Sequence, residues 1–191
     1  DRLTIPDIYA GEETAMLVKQ FQMNGPTFLF SLILIFLGLA LAIVSFAFAN
    51  KAPANLTFLW LGLFSLSSGC WVLGECGLSP FLIPYPSFLA TLNYVGLFTL
   101  AIPLLLFGLA MLKPRNKIPL KIMLYIHTAA LSGALLLQLS GAIDFLKTLY
   151  LFHVITPLAF LVLAGELLWE HFRYNNPSAK RFAPALSLLA I

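Results

Sequence analysis

The sequence contains very little charge. Of its 191 residues only 10% are Asp, Glu, Lys or Arg, whereas 60% are apolar. Soluble domains carry about 25% charged residues, so this composition excludes an ordinary water-soluble fold. The formal net charge is +3, but the basic residues stand beside long apolar runs instead of forming a solvated patch. This distribution excludes a nucleic-acid-binding surface.

Cysteine and catalytic motifs are also scarce. The two cysteines, Cys70 and Cys76, lie six positions apart in one apolar run and project from different sides of a helix. This spacing predicts neither a disulfide nor a cysteine-type metal site. The sequence contains no glycine-rich phosphate loop, HExxH motif or nucleophile–base pair. It therefore predicts that this chain is not itself an enzyme and holds no metal.

What the chain does contain is five long apolar runs and the start of a sixth. Each complete run reaches the roughly 20 residues that a helix needs to cross hydrocarbon, and none shows the period-two alternation of a membrane barrel. These runs predict an all-α polytopic membrane helix bundle. Gly25 and Pro26 are expected to separate an extracellular juxtamembrane segment, 1–25, from a transmembrane domain, 26–191. The predicted spans are 27–49, 56–77, 87–112, 118–139 and 145–170, with an incomplete sixth at 182–191.

The basic residues are distributed unevenly between the links. Of the 11 lysines and arginines, eight fall on alternate links and three on the opposite side. Basic loops of membrane proteins collect in the cytoplasm, so this asymmetry predicts a multi-pass plasma-membrane protein with its N-terminus outside. The chain starts without methionine and ends inside an apolar stretch, and we expect it to be a piece of a longer protein. The first set is Lys51, Lys113, Arg115, Lys117, Lys121, Arg173, Lys180 and Arg181; the second is Arg2, Lys19 and Lys147.

A layer of polar residues is predicted in the outer half of the bundle. Ionisable groups in hydrocarbon cost about 2.5–3.5 kcal/mol each on insertion scales, so each requires a partner, a cavity or a neutral state. Two interpretations remain open: a network that only holds helices together, and a pocket for an external or membrane-dissolved ligand. The candidate ligand-binding residues are Trp71, Glu75, Asn93, Tyr94, Gln138, Asp144 and His153.

Three further features have a structural and a functional interpretation each. Pro103 and Pro157 interrupt spans three and five, where each acts either as a hinge or as a fixed kink. His127 and His153 lie at depths that differ by about four residues, or ~6 Å, so haem ligation stands beside simple hydrogen bonding. Near the inner end of span five, Glu170 is expected to pair with the basic side chain one turn further on, Arg173.

Several short stretches together resemble a known family. They are Ile-Pro-Asp-Ile-Tyr-Ala at 5–10, Phe-Leu-Trp-Leu-Gly-Leu-Phe-Ser-Leu at 58–66, Trp71-Val-Leu-Gly-Glu75, Ala-Ile-Pro103-Leu-Leu-Leu-Phe, and Gly141-Ala-Ile-Asp144-Phe followed by His153. The set resembles the membrane sensor region of bacterial seven-transmembrane receptors with diverse intracellular signalling modules, the type found ahead of GGDEF diguanylate cyclase domains. The resemblance implies seven helices, an extracellular N-terminal portion and a cytoplasmic output domain in the same polypeptide that makes cyclic di-GMP or acts as a kinase.

The functional expectation follows from the polar layer and this resemblance. We expect a sensor domain, acting as a homodimer in the lipid bilayer, that binds a small-molecule or lipid ligand and transmits the signal to its output domain. A small transporter or channel component is the alternative, with the polar layer as part of a permeation path. A haem-binding redox protein that uses His127 and His153 is the third.

Overall fold

The computed structural model of the chain describes residues 13–48, 55–143 and 145–180. Within these residues the regular structure is α-helical, without strands, as predicted. All helices except α3 are long and apolar enough to cross a membrane, which gives five candidate spans. The helices are α1 (Glu13–Ala47), α2 (Asn55–Glu75), α3 (Ser79–Leu82), α4 (Pro86–Leu112), α5 (Ile118–Leu139) and α6 (Phe145–Tyr174).

Helix α1 differs from the predicted first span at its start. It begins at Glu13 and continues through Gly25 and Pro26, where the sequence predicted a boundary. A proline removes only one helical hydrogen bond, and this turn packs against the end of α2, where the Cys76 thiol donates to the carbonyl oxygen of Asn24 at 3.6 Å. With 35 residues, α1 is about 52 Å long, so it extends beyond the ~30 Å hydrocarbon core.

The proline-rich link between α2 and α4 folds back onto the helix ends. It contains α3, a single turn with a proline in its first positions. The Ser79 hydroxyl donates to the Leu73 carbonyl oxygen at 2.6 Å, which satisfies one of the free carbonyls at the end of α2. Leu78 is completely buried. The link therefore closes the end of α2 and fixes the position at which α4 begins.

Helices α1 and α2 pack through glycines. A Cβ atom added to Gly38 would lie 2.7 Å from the carbonyl oxygen of Gly62, and one added to Gly62 would lie 2.8 Å from that of Gly38. Ser31 and Ser45, at the same seven-residue spacing around Gly38, are also buried. Small residues at such positions let two helix backbones approach closely, which is how helices gain packing energy in lipid.

The opposite side of α2 packs against α4 in the same manner. A Cβ atom on Gly96 would lie 2.5 Å from the backbone nitrogen of Trp71. The hydroxyl groups of Ser67 and Thr99 are 3.0 Å apart and share a hydrogen bond across this interface. Helix α2 is therefore held between α1 and α4 by backbone-to-backbone contact on two faces.

Helix α4 is the centre of the bundle and also contacts α5 and α6. The phenyl rings of Phe98 and Phe152 stack at 3.8 Å between centroids. Apolar clusters follow one another along α4. The first two join α4 to α5 and α6, and the third joins α4 to α6 and to the segment that follows it. The first contains Leu97, Phe98, Ala134, Phe152 and Ile155; the second Ala101, Leu105, Leu120, Met123 and Ala159; the third Leu112, Leu167 and Ala179.

These contacts define the directions of the helices and two ends of the bundle. Phe98 meets Phe152 and Leu112 meets Leu167, so α4 and α6 run parallel, while α2 and α5 run the opposite way. One end, which we call the basic end, contains the C-terminal ends of α1, α4 and α6 and the turn between α4 and α5. The other, which we call the Glu75 end, contains the links after α2 and α5. Among the described residues, Lys113, Arg115, Lys117, Lys121, Arg173 and Lys180 belong to the basic end, and Lys19 and Lys147 to the Glu75 end.

The glycine contacts predict an asymmetric effect of adding one methyl group. We expect Gly38→Ala to lower the free energy of unfolding by about 1–3 kcal/mol, because its methyl group would overlap the α2 backbone. Gly133→Ala in α5 is the matched control, since a Cβ atom there meets nothing within 4 Å. Unfolding of both variants in mixed micelles, followed by circular dichroism, measures the difference. Equal stability of the two would contradict the packing described.

Candidate functional site

A hydrogen-bonded pair joins α2 and α4 at the Glu75 end. The Asn93 side-chain amide donates to carboxylate oxygen Oε1 of Glu75 at 2.7 Å. Asn93 is only 9% exposed, whereas Glu75 is exposed. A Cβ atom on Gly74 would lie 2.5 Å from Asn93 Cβ, so the glycine beside Glu75 is what lets the two side chains meet.

The position of Glu75 is electrostatically unusual. It is the last residue of α2, where the partial negative charge of the helix C-terminus disfavours an anion. The hydrogen bond from Asn93 compensates in part, since a charge-assisted bond is stronger than a neutral one. Because the donor is buried and the acceptor exposed, the carboxylate is held in place by the bundle while it remains accessible to a ligand.

Beneath this pair lies an aromatic layer. Trp71, one turn before Glu75, packs against the apolar cluster that contains Phe98 and Phe152. The ring of Tyr94 lies 6.1 Å from that of Phe98. The structure therefore brings Trp71, Glu75 and Asn93 together at the α2–α4 interface, whereas the ring of Tyr94 lies beside Phe98 of its own helix, whose ring stacks on Phe152 of α6. The exposed carboxylate of Glu75 thus lies one helical turn from the partly buried ring of Trp71.

The other predicted ligand residues are placed differently. Gln138 is partly buried near the end of α5, one turn beyond Ala134 of the same apolar cluster. His153 is exposed, and its Nδ1 lies 2.9 Å from the Leu149 carbonyl oxygen of its own helix. A carbonyl oxygen only accepts, so Nδ1 is the donor. The structure places His153 on the bundle surface, away from the Glu75–Asn93 pair. Asp144 lies outside the described residues.

The two histidines considered for haem occupy different environments. His127 is completely buried, and its Nδ1 lies 3.2 Å from the Met123 carbonyl oxygen. Its Nε2 is buried without a hydrogen-bond partner among the described residues. His153 is on the surface. One imidazole thus faces the interior and the other the exterior, which is not the arrangement of two ligands on one haem.

The proline candidates for hinges lie inside continuous helices. Pro103 is in α4 and buried, whereas Pro157 is in α6 and exposed. Thr156, beside Pro157, is buried, and its hydroxyl has no partner among the described residues. Neither proline terminates its helix, so the structure is compatible with a fixed kink and with a hinge at each position.

A second polar cluster at the basic end was missed by the sequence analysis. Glu170 is only 1% exposed. Its Oε1 accepts from the backbone N–H of Arg115 at 2.9 Å, and its Oε2 from the Asn176 side-chain amide at 3.0 Å. The same Asn176 amide donates to the Leu112 carbonyl oxygen at 2.9 Å. Glu170 thus binds the α4–α5 link, instead of pairing with Arg173 as the sequence suggested. Its neighbours Glu166 and His171 are also polar, so the sequence did not distinguish Glu170 from an ordinary residue at the membrane surface.

The five long apolar helices define the class of protein: the chain is a helical multi-pass membrane protein. Comparison with family models, with curated protein sequences and with solved structures gave no significant match. The likeness to seven-transmembrane sensor regions therefore stays a prediction from the sequence.

The Glu75–Asn93 bond predicts a measurable coupling between two variants. We expect Asn93→Leu to destabilise the bundle, and a double-mutant cycle with Glu75→Leu to give a coupling of about 0.6 kcal/mol and at most about 1.7 kcal/mol, the average and the maximum for hydrogen bonds between membrane helices. Glu75→Gln is the conservative control, since its amide oxygen still accepts the bond, and its coupling should be smaller. Denaturation in mixed micelles provides the measurement. A coupling of zero would show that the bond does not stabilise the bundle.

Proposed function

We propose that the chain is the sensor portion of a bacterial plasma-membrane receptor, with the basic end in the cytoplasm and the Glu75 end outside. The proposal rests on one observation, the exposed carboxylate of Glu75 held across the α2–α4 interface by a buried asparagine. The gathering of basic residues at the other end supports the orientation, because cytoplasmic loops of membrane proteins are rich in lysine and arginine.

The ligand acts by competing for the carboxylate. A donor group on an external or membrane-dissolved ligand binds Glu75 in place of Asn93, while the apolar part of the ligand lies against Trp71. The bundle then has two arrangements of α2 against α4, one with the Glu75–Asn93 bond and one without it. A ligand shifts such an equilibrium only by its difference in affinity for the two states.

Contacts along α4 and α6 provide the route to the opposite end. These helices are parallel and packed from the stacked rings of Phe98 and Phe152 to the contact of Leu112 with Leu167. A displacement of α4 is therefore passed to α6, whose Glu170 is bonded to the α4–α5 link. The family resemblance implies the receiver, a cytoplasmic output domain such as a diguanylate cyclase that lies further along the polypeptide of a homodimeric receptor.

The orientation predicts which links an external reagent reaches. In a background with both native cysteines replaced by alanine, we expect Phe81→Cys in the α2–α4 link to react in intact cells with a membrane-impermeant maleimide. Asn116→Cys in the α4–α5 link should react only after lysis. Both positions are exposed, so access to the reagent decides the result. The reverse pattern would invert the topology and refute external sensing at Glu75.

The sensing role predicts that Glu75 sets the basal output of the intact receptor. With the full-length gene expressed in cells, we expect Glu75→Gln to change the cyclic di-GMP level about two- to fivefold, because a change of up to about 1 kcal/mol between two states shifts their ratio by that factor. Glu13→Gln, the same charge change at the start of α1, is the control and should match the wild type. Equal output from both variants at equal expression would contradict the proposal.

A further inference from the structure

A large cavity opens at the basic end, remote from the Glu75–Asn93 pair. Its volume is about 930 Å³, and it lies between the first turns of α2, the end of α4 and the segment around the end of α6. Part of the lining, which we call the apolar wall, is apolar and aromatic, and the basic residues Lys113 and Arg115 also belong to the lining. The apolar wall consists of Leu56, Phe58, Trp60, Ala110 and Met111.

We propose that this cavity is a binding site for an anionic phospholipid, whose phosphate is bound by Lys113 and Arg115 and whose acyl chains lie along the aromatic wall. Such a lipid needs an apolar surface for its acyl chains beside cations for its phosphate, and the lining of this cavity contains both. Trp60 and Met111 belong to candidate membrane spans, while Lys113 follows directly on the last residue of α4. The cations therefore stand at the depth of lipid phosphates, and basic pockets between membrane helices are typical sites for anionic head groups.

The two cations are held by a fixed turn. Lys113 adopts the left-handed conformation with φ of 45° at the C-cap of α4, and Pro114 after it is almost completely buried. The Arg115 backbone N–H is bonded to Glu170, and its guanidinium lies 4.7 Å from the centre of the Tyr174 ring. Because stacking on a ring leaves the guanidinium charge and N–H edges available, Arg115 is positioned to bind phosphate.

Among the described residues that line the cavity, Glu170 is the carboxylate, and it is already bonded to other donors. Glu170 is 1% exposed, and its two oxygens accept hydrogen bonds from the Arg115 backbone and from Asn176. It positions the turn that presents the cations, and Lys113 and Arg115 against this single carboxylate leave the described lining with a net positive charge. The first turn of α2, which includes Thr57, also contributes to the wall, and the positive end of its helix dipole adds a weak preference for an anion.

The apolar wall decides between a lipid and a soluble phosphate. A soluble phosphate compound would bind the two cations but would leave the face formed by Phe58, Trp60 and Met111 against water or unrelated lipid. A phospholipid covers both parts of the cavity. The structure thus favours a lipid, and it predicts that the head group alone binds weakly.

The test measures the preference of the purified full-length protein for phosphatidylglycerol over phosphatidylcholine with the same acyl chains. Native mass spectrometry from micelles that contain both lipids counts the retained molecules. For the double variant Lys113→Gln/Arg115→Gln we expect the preference to fall on the order of 10- to 30-fold, because each substitution removes one attraction between a cation and the anionic head group. The matched control is Lys117→Gln/Lys121→Gln, which removes the same charge from the end of this link and from the first turn of α5, at two exposed positions outside the cavity wall.

A second readout locates the lipid. Brominated phosphatidylglycerol should quench tryptophan fluorescence more than brominated phosphatidylcholine does, and this excess should disappear in Trp60→Phe. The proposal is overturned if both double variants lose the preference equally, since general surface charge would then explain it. It is also overturned if the wild type shows no preference, or if glycerol phosphate at millimolar concentration displaces the lipid, which would identify a soluble ligand.

Discussion

The bundle depends on the close backbone approach of α2 to both of its neighbours. Hydrocarbon offers no hydrophobic driving force between helices, so packing and hydrogen bonds must supply the association energy. Gly38 and Gly62 bring α1 and α2 together, and Gly96 brings α4 against Trp71. The same approach places Asn93 beside Glu75. The polar pair at the Glu75 end is therefore a consequence of glycine packing deeper in the membrane.

Helix α4 connects the two polar clusters. Near its start it carries Asn93, the partner of Glu75, and at its end the Leu112 carbonyl accepts a hydrogen bond from Asn176. Between them lie apolar side chains packed against α5 and α6. Such a packed core moves as a unit and does not deform gradually. An arrangement of this kind lets an event at either end bias the other, which is the physical requirement for the proposed sensor.

The sequence predicted part of the candidate site and not the rest, for a geometric reason. Depth along a span is readable from the sequence, so Glu75 and Asn93 were expected at one level and do meet. The direction of a side chain around its helix depends on which neighbour packs there, and no pattern in these nearly uniform apolar runs reveals it. His153, for example, was assigned to the polar layer in the outer half of the bundle by its depth alone, and its side chain is exposed. Glu170 was assigned to its own helix but binds a link 55 residues away.

The sequence by itself determined the all-α membrane class, the number of complete spans and the gathering of basic residues at alternate links, because these depend only on hydropathy, length and charge. Only the tertiary structure decided that α1 continues through Pro26, that α4 is central, and that the cavity at the basic end joins α2 to the end of α6. Those features arise from contacts between distant segments. In a chain with such uniform apolar helices, contact is set by small differences in shape at single glycines, and these become visible only when the helices are packed together.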